Sequence, residues 1–198
     1  MMRHIIETLQ VTPDQANHLR DRYTQRYGAA LLGLVRHHGI DAHHFLRAAH
    51  SFDDLPAMLR AERGLARHLA ALPGRRWILT NGPSAYAQAV LEALGITRLF
   101  ERVIAIEQMR DRRGAWRAKP DRAMLQHTLR AARVPPAQAI LVDDTRTHLK
   151  RYRRLGIGTV WFTGHLGRAR PRGGRPHYID HRITSIKSLK TKRYQRQT

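Results

Sequence analysis

Along residues 1–72 the apolar positions recur at three- and four-residue intervals, the spacing of a helix that hides one face. Thr12-Pro13-Asp14 has the chemistry of a helix start, with a hydroxyl as cap and proline at the first helical position. From there Leu19, Tyr23, Tyr27, Leu31 and Leu34 form one stripe, which predicts a single helix running to Gly39. A short helix is expected over 43–50 and a longer one over 55–72, closed by Pro73-Gly74. One stripe per helix describes a small bundle, or a cap carried on another domain.

Beyond Pro73 the period changes. Short apolar runs at 77–79, 103–106, 139–142 and 159–162 alternate with helical stretches at 84–94, 121–132 and 145–155. Gly95 and Gly156 close the first and last of these helices. Apolar strands alternating with helices predict a parallel sheet covered on both faces, with 139–142 a buried strand. The 168–176 segment, rich in Gly, Pro and Arg, reads as a surface loop. Residues 183–189 suit a last short strand or helical turn, and 190–198 a disordered basic tail.

Composition narrows the setting. With 198 residues, 42% hydrophobic and 26% charged, the chain matches an ordinary globular protein, long enough for one core domain and a modest insertion. No run approaches the ~18 apolar residues of a membrane span, and the first residues lack the apolar core of a secretory signal. The absence of cysteine excludes disulfides and thiolate chemistry and suits a cytoplasmic protein. The net charge of +21 is spread as Arg over every segment, except that residues 165–198 hold ten Lys or Arg against one acid, Asp180. Such a tail is a candidate contact for nucleic acid, although a solvated basic surface is the favoured reading.

Candidate chemistry sits at strand ends, where open parallel sheets place their ligands. Thr80-Asn81 follows the first strand, Lys119-Pro120 precedes a helix, and Asp143-Asp144 follows the third strand. A hydroxyl and the backbone N–H groups after it can hold phosphate oxygens as neutral donors. A fixed lysine neutralises charge on a phosphoryl group. Two adjacent carboxylates attract a hard cation such as Mg²⁺, which takes one or two carboxylates plus substrate oxygens and water. Singly, each has a plainer role: a helix cap for the Asp pair, a strand-end hydroxyl for Thr80, a solvated side chain for Lys119.

In this order, 39 and then 24 residues apart, the three sites resemble motifs two, three and four of the haloacid dehalogenase superfamily. The resemblance implies that Thr80, Asn81 and Lys119 bind phosphate, with Lys119 in the catalytic set. It also implies that Asp144 ligates Mg²⁺ directly, and Asp143 through water or a hydrogen bond. The stretch from Arg26-Tyr27-Gly28 through His37-His38-Gly39 to Phe45-Leu46 resembles the helical cap of the pyrimidine 5′-nucleotidase subgroup, as does Leu72-Pro73-Gly74-Arg75. The likeness covers residues 1 to about 163 and implies hydrolysis of a small phosphorylated metabolite, with a nucleoside monophosphate expected. His37, His38, His43 and His44 are candidate transition-metal ligands but lack a carboxylate cage, so they are expected to be solvated cap residues. Trp77, Trp116 and Trp161 show no stacking-platform pattern.

The family's first motif, a strand ending in Asp-x-Asp whose first Asp attacks phosphorus, occurs nowhere in the 198 residues. Either the chain starts at an internal methionine, which is the favoured expectation, or it is a degenerate noncatalytic relative that binds phosphate or nucleic acid. A dehalogenase of the same superfamily is a third reading. The expected fold is therefore α/β: a helical cap over 1–72, a Rossmann-like parallel core over 73–189 lacking its first strand, and the tail. A sheet short of a central strand exposes backbone groups and apolar flanks. The chain is accordingly expected to associate in solution and to show no turnover of a generic aryl phosphate. Cooperative unfolding of a monomer that hydrolyses such a substrate would contradict this.

Overall fold

In the computed structural model, which describes residues 1–169 and 174–189, the chain divides into two units. One comprises residues 1–61 and 75–121, the other 62–74 and 122 onward. The expected disordered tail over 190–198 and the middle of the 168–176 loop lie outside the described residues.

The first unit begins with helix α1 (Met2–Leu9), then α2 (Pro13–Tyr27). Thr12 Oγ1 accepts from the Gln15 N–H at 3.3 Å while the Gln15 side chain accepts from the Thr12 N–H at 2.9 Å, a reciprocal cap. The single helix expected to reach Gly39 is in fact two. Gly28, at φ 89°, ends α2, and α3 (Ala30–His38) starts afresh after it. The apolar stripe continues across the break, so periodicity alone does not register it. Helix α4 (Ala42–Ala49) is capped by Asp41, whose carboxylate accepts from the His44 N–H. Ile5, Tyr23, Leu34, Phe45, Leu46 and Ile106 share one buried core.

The helix expected over 55–72 also divides. Helix α5 (Leu55–Met58) belongs to the first unit and α6 (Leu65–Ala71) to the second. Between them Arg60–Arg63 is a charged run in which every residue is exposed, leaving no apolar face to bury. The first unit then adds strand β1 (Trp77–Leu79), helix α7 (Ser84–Ala93) and strand β2 (Arg102–Ile104), with β1 and β2 parallel and Leu79 opposite Ile104.

The second unit holds α8 (Arg122–Ala131), β3 (Ile140–Asp143), α9 (Arg146–Arg153), β4 (Gly158–Phe162) and β5 (His181–Ile183). Its three strands form a parallel sheet in the order β3-β4-β5. The 183–189 segment ends β5 and then makes a helical turn at Ile186–Ser188, so it contains both forms that its sequence allowed. The α/β class with parallel strands agrees with the sequence reading. The strand expected to be buried is not: Ile140, Leu141 and Val142 are only half-buried, as are all three residues of β1. In contrast Gly158 to Trp161 of β4 are buried. The cause is the number of neighbours, because β4 pairs on both sides whereas β1 and β3 each have one strand partner among the described residues.

The dispersed arginines use aromatic faces. Arg110 lies 3.8 Å from the centre of the Trp116 ring, Arg75 5.0 Å from that of Trp77, and Arg146 5.5 Å from that of Trp161. Among the described residues no helix is long and apolar enough to cross a membrane.

In the second unit Asp180 ties β4 to its surroundings. It pairs with Arg153 and accepts from the Thr159 N–H at 2.8 Å, while the buried Thr159 hydroxyl donates to the Tyr178 carbonyl at 2.9 Å. Asp180→Ala leaves a guanidinium and an N–H without that acceptor and is expected to destabilise this unit by about 2 kcal/mol. A urea midpoint unchanged from the parent chain would contradict it.

Candidate functional site

Thr80 stands one residue past β1, held there because its N–H continues the ladder to the Ile104 carbonyl at 3.0 Å. Its Oγ1 accepts from the Gly82 N–H at 3.0 Å, which fixes the rotamer. Its own hydroxyl proton has no acceptor among the described residues, nor has the Asn81 main-chain N–H a partner. Two neutral donors are therefore left next to each other at the strand end. The helix N-terminus that follows is already used: the Glu107 carboxylate accepts from both the Ser84 N–H and its hydroxyl. An anion at this turn meets the donors of Thr80 and Asn81 rather than that of Ser84.

The Asn81 side chain has a different task. Its Nδ2 donates to the Gly28 carbonyl at 3.0 Å and to the Lys119 carbonyl at 3.3 Å, and its Oδ1 accepts from the Lys119 N–H at 2.7 Å. One carboxamide thus joins the α2–α3 break, the turn after β1 and the residue before Pro120. Gly28 is required twice, by its positive φ and because a Cβ there would overlap the Lys119 carbonyl. The first unit therefore brings Thr80, Asn81 and Lys119 together, and Asn81 offers an anion its backbone while its side chain is committed to the scaffold.

The second unit carries Asp143 at the end of β3 and Asp144 one residue beyond. Asp143 is buried, at 7% exposure, and accepts from the Thr145 N–H at 2.8 Å. His148, one turn into α9, faces both of its oxygens through Nδ1, at 3.1 and 3.3 Å. Asp144 is exposed, accepts from the Thr145 hydroxyl at 3.1 Å, and has His165 3.9 Å from its other oxygen. Its backbone is fixed from β4, since the Trp161 indole N–H donates to the Asp144 carbonyl at 3.0 Å. One clamped and one open carboxylate make a hard, oxygen-only donor pair, which fits a divalent cation that completes its shell with water and ligand oxygens.

Among the described residues no group of three or more His, Asp or Glu side chains converges as metal ligands. The paired histidines are engaged by aromatic neighbours instead. His37 and His38 bond the Tyr27 and Tyr23 hydroxyls at 2.7 and 2.8 Å, His43 packs on the edge of Trp116, and His44 lies against His4. Burial, with Arg36 and Arg26 close by, lowers the pKa of His37 below the usual imidazole value.

Gly28, His148 and Trp161 support the candidate site, and the sequence reading assigned none of them to it. Gly28 had a signal, a glycine interrupting a helical stripe, which the unbroken apolar spacing masked. His148 lies five residues after Asp143, on the first turn of the following helix, a distance at which a side chain can reach back. Trp161 had no local signal, because its bond to Asp144 depends on strand register.

Comparisons with known proteins agree with this arrangement. A family model described as a haloacid dehalogenase-like hydrolase matches residues 2–156. A phosphoglycolate phosphatase of Pseudomonas savastanoi pv. phaseolicola is 24% identical over 149 residues, covering 72% of this chain and 53% of its own length. A validoxylamine A 7′-phosphate phosphatase of Streptomyces hygroscopicus subsp. limoneus is 28% identical over 112 residues, covering 56% of this chain and 50% of its own. The chain spans about half the length of the curated relatives it matches. Among solved structures, a HAD phosphatase from Thermococcus onnurineus superposes with a TM-score of 0.57 at 22% identity, over 91% of this chain and 80% of that one, a likeness of fold.

Asn81→Ala removes both donors and the acceptor of the clamp and is expected to destabilise the first unit by about 2 kcal/mol. Asn81→Asp, which keeps only the acceptor, should fall between. Urea midpoints for the three proteins measure it, and a loss below about 0.5 kcal/mol for the alanine variant would show that the clamp is not structural.

Proposed function

The chain belongs to the haloacid dehalogenase-like hydrolase family, and from that membership we propose that it carries the phosphate-holding and charge-stabilising groups of a Mg²⁺-dependent phosphatase. The substrate is a small phosphate monoester, with a nucleoside monophosphate as the favoured member. The observation that carries this reading is the Asn81 clamp, which sets two free neutral donors beside the backbone of Lys119. The relatives' names support the phosphatase class and differ in the organic part, phosphoglycolate in one and validoxylamine A 7′-phosphate in the other.

In this reading the Thr80 hydroxyl and the Asn81 N–H donate to phosphate oxygens without adding charge, and the Lys119 ammonium offsets charge that develops on the phosphoryl group. Asp144 holds the cation and Asp143, fixed by Thr145 and His148, supports it from behind. When bound, Mg²⁺ supplies positive charge against the phosphoryl oxygens. The family reaction passes through an aspartyl-phosphate, and these 198 residues contain no Asp-x-Asp to form one. That absence favours a second reading, a noncatalytic protein that binds phosphate with the same groups. A cytoplasmic setting suits the cysteine-free composition under either reading.

Calorimetric titration with inorganic phosphate, with and without Mg²⁺, tests the binding that both readings share. The parent chain should bind phosphate, more tightly with Mg²⁺. Thr80→Val should weaken binding about tenfold, the effect of one lost hydrogen bond to an anion. Asp144→Asn should abolish the Mg²⁺ enhancement. Binding insensitive to both substitutions would refute the assignment, as would no binding by the parent chain.

A further inference from the structure

Gly82 has an ordinary backbone conformation, so its lack of a side chain answers to space rather than to φ. A Cβ built there would lie 3.3 Å from Thr80 Oγ1, 3.6 Å from a Tyr86 ring carbon and 3.7 Å from His50 Nε2. Three groups of different chemistry thus lie within 4 Å of one point above the turn: a hydroxyl, an aromatic face and an imidazole nitrogen. All of them belong to the first unit, with His50 closing α4, Thr80 following β1 and Tyr86 in the first turn of α7.

The imidazole has a defined state. His50 Nδ1 lies 3.0 Å from the Leu46 carbonyl, which can only accept, so Nδ1 carries the proton. Burial lowers the pKa of the ring; the bond to Leu46 and the more distant Glu107 oppose that, and the terminal ammonium adds to it. The neutral ring then presents a lone pair at Nε2, and no hydrogen bond to that atom occurs among the described residues. Tyr86 packs against His50 at 5.2 Å between ring centres and against Phe52 at 5.5 Å. Phe52 is 41% exposed, one of few large apolar side chains left in solvent. An aromatic wall therefore rises on one side of the Thr80 hydroxyl, and an acceptor nitrogen on another.

We propose that His50 and Tyr86 select the organic part of the substrate, taking an uncharged hydroxylated group such as a sugar and disfavouring a carboxylate. This rests on the phosphate seat proposed for Thr80 and Asn81 and deepens it. A phosphate held by those donors directs its ester-linked carbon toward the space above Gly82. There a hydroxyl donates to His50 Nε2, and the C–H face of a sugar packs on Tyr86. A carboxylate at the same place sets oxygen lone pairs against a nitrogen lone pair, with no donor to relieve them. Nucleoside and pentose phosphates fit this seat, whereas phosphoglycolate does not.

Calorimetry on the full chain with inorganic phosphate, ribose 5-phosphate and 2-phosphoglycolate tests the assignment through ratios of affinity. The parent should prefer ribose 5-phosphate to 2-phosphoglycolate. His50→Phe keeps the ring volume and removes the acceptor, so the preference for ribose 5-phosphate over inorganic phosphate should fall about tenfold, the effect of one hydrogen bond. His50→Gln, which can still accept, should recover part of it and guards against a folding defect in the phenylalanine variant. A ratio that neither variant moves overturns the proposal while leaving the phosphate seat standing, as does a parent chain that prefers 2-phosphoglycolate. Failure of the parent to bind inorganic phosphate removes the seat and this proposal together.

Discussion

The carboxamide of Asn81 is the interaction on which the rest of the first unit's site depends. It is the one side chain that bonds both to the break between α2 and α3 and to the peptide of Lys119, 38 residues further along. Because its donors and its acceptor are all engaged, the turn bearing Thr80 has little freedom to rotate. What remains for a ligand is the set of groups the clamp does not use, the Thr80 hydroxyl and the Asn81 N–H. A charged residue in place of Asn81 would bring a net charge to a spot where an anion is to be bound. A neutral amide fixes the same geometry without that penalty.

The same constraint explains where the sequence was legible and where it failed. The alternation of short strands and helices after Pro73 identified every strand of both sheets, because apolar runs ending in turn residues are local signals. The breaks at Gly28 and at Arg60–Arg63 were missed for opposite reasons. Around Gly28 the stripe Leu19, Tyr23, Tyr27, Leu31, Leu34 keeps its period, so the sequence reads as continuous, and the demand for a break comes from Lys119, remote in the chain. Around Arg60–Arg63 the stripe does lapse, but the flanking leucines at 55, 65 and 69 hid it. Burial was misjudged at 139–142 because apolar content records what a strand is able to bury, while its exposure depends on how many strands lie beside it.

The candidate residues divide along similar lines. Thr80, Asn81, Lys119, Asp143 and Asp144 could be named from sequence since each occupies the residue or two beyond an element end. The residues that restrain them could not. His148 acts across a helical turn, Trp161 across a strand pair, and His50 from a helix of the cap. These depend on tertiary approach, for which a single sequence carries no periodic signal. The division of labour is also chemical: the named residues offer charge or open donors, and the hidden ones fix tautomer, rotamer or backbone.

The claim that the Thr80–Asn81 turn is an anion seat is tested most directly by amide resonances during titration with inorganic phosphate. The Asn81 main-chain N–H should shift downfield and saturate, with Gly82 following as the Thr80 hydroxyl reorients, while the Ser84 N–H, already bonded to Glu107, moves little. An unmoved Asn81 N–H, with the perturbation falling on Ser84 or spread over the exposed arginines, would contradict the account.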